Sequence, residues 1–535
     1  MTQIIDSVES RHLRIEPEQA GVCQTTFKSV LFHDGRSLKE IEQATQPDVF
    51  IDLNLDQVID ALLRGRDEYE LRPYFNVPLN DTRAILYRHE VMRDLERTEI
   101  MSAVVAFADD MRLVRRQLAV AAKMHYRWQE RRYLLDGARH YGACVDAFAD
   151  ALKKAEPRSA GLRAFLDVLI QYAQSPVFRA LVADESTIRK ALDDVRYSVL
   201  IKGNAVTVRR YAGEVDYSEE VRRVFEKFKQ GAVKKREIES KDYPDMNHVE
   251  ATVMDFVARL YPEVFDPFET FCGSHADFID PVIARFDREI QFYVAYLEHM
   301  TSTKAIGLSF CYPVLSSTSK GVRSVQGFDI ALAEKLRAAK KPVVCNDFHL
   351  EGEERIIVIT GPNQGGKTTF ARAFGQLHYL AAVGLPVPGS QAQLYLSDRI
   401  FTHFERQEDM KNLRGKLHDD LFRIHEILGG ATSRSIIIMN EIFSSTSLKD
   451  ALYLSRKVME RIMELDALCV YVTFIEELST LSPQTVSMLS EVKPDAIASR
   501  TFRVVRHPAD GRSYAMTLAR QYGLTYERLK ERIGS

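Results

Sequence analysis

No run of apolar residues in this 535-residue chain is long enough to cross a bilayer, and Met1 to Glu18 is polar and charged with no apolar signal region. The expectation is a cytoplasmic protein with no membrane partner. Cysteine is sparse: Cys23, Cys144, Cys272, Cys311, Cys345 and Cys469 are scattered, with no C-x-x-C pair and no histidine at ligand spacing. They read as buried free thiols in a reducing compartment, neither a disulfide framework nor a metal site. Neither sign of charge dominates. A net charge of −3 excludes a uniformly basic nucleic-acid binder but leaves room for local basic patches. Internal repeats and low-complexity tracts are also missing. What remains is an ordinary globular composition, 45% hydrophobic and 27% charged, at a length that calls for roughly two to four domains.

The most informative stretch is 355–369, Arg-Ile-Ile-Val-Ile-Thr-Gly-Pro-Asn-Gln-Gly-Gly-Lys-Thr-Thr. It reads as a buried strand entering a phosphate-binding loop of the form G-x-x-x-x-G-K-T. The glycines let backbone N–H groups turn inward to cradle phosphate oxygens. Lys367 is expected on the outer phosphates and Thr368 on Mg²⁺, with the positive end of the following helix aimed at the anion. The nucleotide-contacting set is therefore Gly361, Pro362, Asn363, Gln364, Gly365, Gly366, Lys367, Thr368 and Thr369, with ATP and Mg²⁺ as ligands.

Upstream of this loop the pattern is mainly helical. Val104, Phe107, Met111, Val114 and Leu118 recur at three- and four-residue steps, which predicts one long helix over about 104–132. The basic residues on it, Arg112, Arg115, Arg116, Lys123, Arg127, Arg131 and Arg132, read mostly as a solvated face. Tyr197–Lys202 and Ala205–Tyr211 flank Gly203-Asn204, a β-hairpin signal set between helices. A basic run follows at 222–241. Arg209, Arg210, Lys234, Lys235 and Arg236 are the candidate nucleic-acid contacts, against the plainer reading of solvated side chains. Helical periodicity resumes from Asn247 to about His299, its last helix opened by Asp280-Pro281. The segment 301–327 reads as a connection, and beyond it strands and helices alternate.

A second apolar strand, Ser435-Ile-Ile-Ile-Met439, ends in Asn440-Glu441. A P-loop ATPase places an Asp for Mg²⁺ at such a strand end, often followed by a Glu that orients water. Here Asn440 holds the metal position and Glu441, with Lys367, the catalytic one.

These segments together resemble the MutS family of DNA mismatch-repair ATPases. Thr360–Thr369 is similar to that family's T-G-P-N-M-G-G-K-S-T, and Asp398–Thr402 to its D-R-I-F-T. Glu441-Ile442, Thr446-Ser447 and Asp450 match E-I-G-R-G-T-S-T-x-D, while Thr473, Glu477 and Leu478 match T-H-x-x-E-L. Ser513–Leu524 resembles S-Y-G-I-x-V-A-x-L-A-G-L, and Arg72–Asp81 with Arg88–Leu95 resembles the start of the helical core. The likeness runs over roughly 55–535. It implies an α/β P-loop ATPase domain of the ABC type at 326–535, with C-terminal dimerisation helices. Ahead of it the likeness implies an N-terminal segment at 1–54 and a mainly α lever and core domain at 55–325, which carries a clamp-like hairpin near 195–245.

The resemblance further implies a DNA clamp controlled by ATP binding and slow hydrolysis. The ATP would lie at the interface of a homodimer, or of a heterodimer with a related ATPase chain. The departures bear on turnover. Against the family's G-R-S-T-F stands Leu413-Arg414-Gly415-Lys416-Leu417, so the serine that senses the γ-phosphate is missing. Phe474 replaces a histidine, and Asn440 an aspartate. A regulatory or scaffold protein that binds ATP with little hydrolysis is the alternative. About 50 residues precede the core and neither Phe27 nor Phe32 offers a Phe-x-Glu wedge, so direct mismatch reading is not expected.

Overall fold

A computed structural model describes residues 27–34, 41–214, 223, 246–405, 415–493, 496–508, 526 and 530. Cys23, Arg414, Lys234, Lys235 and Arg236 lie outside these residues, as do the basic run at 222–241 apart from Arg223 and the C-terminal stretch 513–529 apart from Tyr526.

The first part is mostly helical. Two short helices, α1 (Val49–Asp52) and α2 (Leu55–Leu63), begin it; Leu55, Val58, Ile59 and Leu62 bury one face of α2 at helical spacing. α3 (Arg72–Asn76) carries Pro73 in its first turn, and α4 (Thr82–Leu95) is capped by Asp81, which accepts from Arg83 N.

The predicted long helix over 104–132 is two helices. α5 (Thr98–Ala121) ends at Ala122, and α6 (Arg127–Ala155) folds back along it. Phe107 stacks on Phe148 with ring centroids 4.2 Å apart, and Gly137 lies against Leu118, so the pair is antiparallel. The stripe of Val104, Phe107, Met111 and Val114 is buried, and its partner is the next stretch of chain. The basic residues are also more engaged than a solvated face requires. Arg131 pairs with Glu269 and Arg115 with Asp287, whose carboxyl burial pushes up to about 6 although that guanidinium draws it down.

α7 (Ala160–Gln174) and α8 (Pro176–Asp193) start at the caps Ser159 and Ser175. The hairpin follows where expected: β1 (Tyr197–Lys202) pairs antiparallel with β2 (Ala205–Arg210), Ile201 opposite Val206, and Gly203 takes the positive φ of the turn at 60°. α9 (His248–Leu260) opens on a capping box of Asn247 and Glu250. After α10 (Pro262–Ser274), Asp280 caps α11 (Pro281–Lys304) through Val282 N and Ile283 N. Phe286, Ile290, Tyr293 and Leu297 line its buried face.

The second part is α/β, and its strands begin inside the stretch read as a connection. β3 (Phe310–Cys311), β4 (Val314–Ser316) and β5 (Val322–Gly327) precede α12 (Ile330–Ala338), β6 (Asn346–Leu350) and β7 (Ile356–Thr360). α13 (Lys367–Ala382), β8 (Val387–Pro388), β9 (Gln391–Tyr395) and β10 (Ile400–His403) follow. The chain then runs through α14 (Lys416–Gly430), β11 (Ile436–Asn440), α15 (Leu448–Glu464), β12 (Leu468–Val472), β13 (Thr485–Lys493) and β14 (Ala496–Arg506).

The main sheet has the order β10-β11-β12-β7-β13-β14. Its first five strands are parallel and β14 is antiparallel to β13, so the sheet is mixed. Every residue of β7, β11 and β12 is buried, which is why these segments read as unbroken apolar runs. A smaller sheet, β4-β9-β5-β6, packs beside it. Among the described residues no helix is long and apolar enough to cross a membrane, and five cysteines are free thiols.

Candidate functional site

Strand β7 delivers the chain into a tight loop that leaves no room for a side chain at Gly361 and Gly365. Gly361 has φ +117°, and a Cβ there would come within 3.0–3.1 Å of Ser490. At Gly365 a Cβ would lie 2.2 Å from Ser490 Oγ and 2.9 Å from Pro362 O. The neighbouring strand β13 therefore presses against the loop, and Ser490 Oγ donates to Gly365 O at 2.7 Å. Gln364 adopts φ +61°, and Gly366, the N-cap of the 16-residue α13, φ +96°. Asn363 and Gln364 stand exposed at the tip, with Pro362 buried beneath.

Lys367 is 3% exposed and lies across the loop. Its Nζ is 3.0 Å from Gly361 O, 3.2 Å from Pro362 O, 3.3 Å from Asn363 Oδ1 and 3.5 Å from Glu441 Oε1. One turn into the site, Thr368 Oγ1 donates to Asn440 Oδ1 at 3.0 Å. Asn440 ends β11, which is separated from β7 by β12 and still reaches the loop. Glu441 follows in the left-handed region at φ +53°, its N–H donating to Val472 O at 2.9 Å. A non-glycine residue held there is strained, and the neighbouring strand fixes it. Thr369 is half-buried beside Thr368, and Phe474 is 49% exposed beyond the end of β12.

The arrangement sets one ammonium, one carboxylate, a hydroxyl and an amide oxygen around the positive end of a helix. That is a setting for an anion carrying several oxygens. A divalent cation fits only alongside such an anion: Thr368 and Asn440 offer neutral oxygens, and the described residues hold no group of three or more acidic, His or Cys side chains that could bind a metal.

A groove of about 690 Å³ is lined by Val343, Val344, Asn346, Arg503 and Val505 among others. Asn346 closes its floor by donating to Phe502 O at 3.3 Å and accepting from Val504 N at 2.7 Å. Phe502 O is also 3.3 Å from where a Cβ on Gly366 would sit. The larger cavity, about 810 Å³, lies elsewhere, between residues 45–51, the edge strand β10 and α14.

The structure thus gathers the sequence-selected Gly361–Thr369, Asn440 and Glu441 in one place. Ser490, Asn346 and Phe502 were not legible from sequence: they carry no motif, Ser490 and Phe502 meet the loop from β13 and β14, and Asn346 on β6 reaches it only through Phe502. Arg209 and Arg210 are a separate matter. Arg209 pairs with Glu214 at 2.8 Å. That carboxyl is held down to about 2, chiefly by the Ala212 N–H and the Ser198 hydroxyl. Arg210 donates to Leu260 O and pairs with Glu263 at 2.7 Å, its guanidinium 4.3 Å from the Tyr261 ring centre. Both arginines remain about half exposed; Arg210 ties the hairpin to the end of α9 and the start of α10, while Arg209 pairs with Glu214 just beyond the hairpin. Beyond them the strands expose apolar side chains, Ile201 at 74%, and the turn itself carries Lys202 and Asn204.

Comparison with known proteins agrees with this layout. Residues 357–531 match the family model for MutS domain V. A DNA mismatch repair protein MutS from Chlorobium phaeovibrioides is 25% identical over 513 residues, which is 89% of this chain and 57% of that protein. This chain therefore spans little more than half the length of that relative. Its α/β part thus matches MutS domain V, and the chain is similar to MutS across most of its length.

Proposed function

We propose that the chain binds ATP with Mg²⁺ at the loop between β7 and α13, hydrolyses it slowly at the interface of a dimer, and uses that cycle to control a DNA clamp. The observation that carries the reading is the convergence of Lys367, Thr368, Asn440 and Glu441 on one glycine loop at a helix N-terminus. In this proposal Lys367 exchanges its loop carbonyls for phosphate oxygens and neutralises their charge. Thr368 and Asn440 hold the metal, which when bound spreads the charge of the phosphates. Glu441, released from Lys367, orients the attacking water. The groove at Val343 and Val344 takes the nucleoside end. Asn440 would bring no negative charge to the metal and Phe474 offers no hydrogen bond, so turnover is slow. The division into a segment to 54, a helical lever domain over 55–325 and an ATPase domain over 326–535 belongs to this proposal, with β3–β5 as strands at the seam.

A second reading is an ATP-binding scaffold that acts through protein contacts. The amide at Asn440 favours it, because no carboxylate stands on the metal. An ATPase assay with and without duplex DNA separates the two, run beside sedimentation with ATP. Turnover stimulated by DNA in a dimeric species supports the clamp. Nucleotide binding with no turnover under either condition supports the scaffold.

A further inference from the structure

Helix α13 carries the loop at its N-terminus and is tied to the helical part along one face. Arg372, Gln376, Tyr379 and Val383 follow at steps of four, three and four, which places them in a single stripe. Arg372 Nε donates to Asp52 O at 3.0 Å. Gln376, fully buried, donates to Leu53 O at 2.8 Å and to Asp329 Oδ1 at 2.9 Å, and accepts from Ile330 N at 2.9 Å. Tyr379 OH donates to Phe75 O at 2.8 Å, and Ala382 O accepts from Leu79 N at 2.6 Å. At the far end Arg88, also fully buried, donates from Nη1 to Val383 O at 2.6 Å and from Nε to Leu31 O at 3.1 Å. Its guanidinium is 4.8 Å from the Phe32 ring and 5.0 Å from the Phe292 ring.

We propose that this stripe is the joint through which the loop communicates with the helices, and that Arg88 and Gln376 are its positioning residues. The proposal rests on the nucleotide reading above and adds the route. The tethers from Arg372, Gln376 and Tyr379 reach backbone carbonyls of Asp52, Leu53 and Phe75, and Leu79 N meets Ala382 O backbone to backbone, so at these points a side-chain rearrangement on the far side cannot absorb a displacement of α13. The bonds of Gln376, Tyr379 and Arg88 are buried, where hydrogen bonds are stiff and packing resists deformation. Gly375 tightens the same interface: a Cβ there would lie 2.6 Å from Leu53 Cδ2 and 2.7 Å from Ile438 Cδ1. From Arg88 the route continues along α4 to buried Asp94, which accepts from Arg158 N at 2.8 Å and Ser159 N at 2.7 Å and so holds the start of α7. A cation at the C-terminal end of α13 also complements that end's partial negative charge.

The test is hydrogen–deuterium exchange on the full chain, with and without a nonhydrolysable ATP analogue and Mg²⁺, for wild type, Arg88→Lys, Gln376→Met and Tyr379→Phe. Tyr379→Phe removes one hydroxyl and keeps the ring, so it remains informative if a bolder variant fails to fold. The expected result is analogue affinity within about threefold of wild type, with the nucleotide-induced change in exchange across α4 and α7 reduced about fivefold or more. Folded variants that bind the analogue and show the wild-type change across α4 and α7 overturn the joint. Wild type that binds the analogue with no change in those helices also overturns it and leaves the nucleotide reading intact. Wild type that binds no analogue overturns the nucleotide reading, and the joint with it.

Discussion

Thr368 and Asn440 meet across 3.0 Å, hydroxyl to amide oxygen, although 71 residues lie between them in the chain. The contact joins the first turn of α13 to the end of a strand two places away in the sheet. In the proposed nucleotide site this is where the amide of Asn440, in place of a carboxylate, would face a metal bound to phosphate.

Asn440→Asp is expected to raise turnover, since it supplies the charge that the amide lacks. Glu441→Gln is expected to remove whatever hydrolysis exists, by about 10²–10⁴-fold. Steady-state ATPase assays on both variants decide the matter. Flat turnover in Asn440→Asp would move the cause of slow hydrolysis to Gly415 and Phe474.

Lys367→Ala should weaken binding of a fluorescent ATP analogue by about 100-fold or more, because charge-assisted bonds to phosphate contribute about 1.5–3 kcal/mol each. The far-ultraviolet circular dichroism should stay unchanged. Binding at wild-type strength would remove the site assignment.

DNA binding should be salt-dependent and should separate two groups of basic residues. Changing Lys234, Lys235 and Arg236 to Gln together is expected to flatten the salt slope by up to about 2–3 units on all sequences alike. Arg210→Ala acts differently, because its guanidinium is engaged with Leu260 O and Glu263. It should increase hydrogen exchange in β1 and β2, with a change in salt slope below about one unit. Equal effects from both sets would argue against this division.

His378 supplies a pH prediction. Burial pushes its pKa down from 6.5 to about 4. The unfolded chain therefore takes up a proton below about 6.5 that the folded chain refuses, and stability is lost as pH falls from there toward 4. At pH 5 this amounts to about 2 kcal/mol for the one group. His378→Leu removes that contribution, so the stability difference between variant and wild type should shift toward the variant by about 2 kcal/mol between pH 7 and pH 5. Urea titrations at the two pH values measure it. A pH-independent difference would show that His378 charges in the folded state.

The split between α5 and α6 shows where local reading fails. Residues 122–126 are Ala-Lys-Met-His-Tyr, with neither glycine nor proline to mark a turn, so periodicity ran straight through them. The turn exists because an apolar stripe needs a partner, and α6, with Gly137 facing Leu118, supplies a surface that fits. At Arg209 and Arg210 the structure adds what sequence does not show. Sequence shows that a residue is charged, and Glu214 and Glu263 show what that charge is already engaged with.

By itself the sequence determined the elements whose cause is local. The hairpin turn at Gly203, the caps Asn247 and Asp280, the buried strands β7 and β11 and the glycine loop between β7 and α13 each follow from a few neighbouring residues and their backbone preferences. Tertiary structure alone decided the pairings between distant segments. Ser490 beneath the loop, Asn440 on Thr368, Glu441 strained beside Lys367, and Arg88 at the far end of α13 depend on which strands and helices lie side by side. That choice is made by burying apolar surface throughout the molecule, a sum over many contacts that no short stretch of sequence contains.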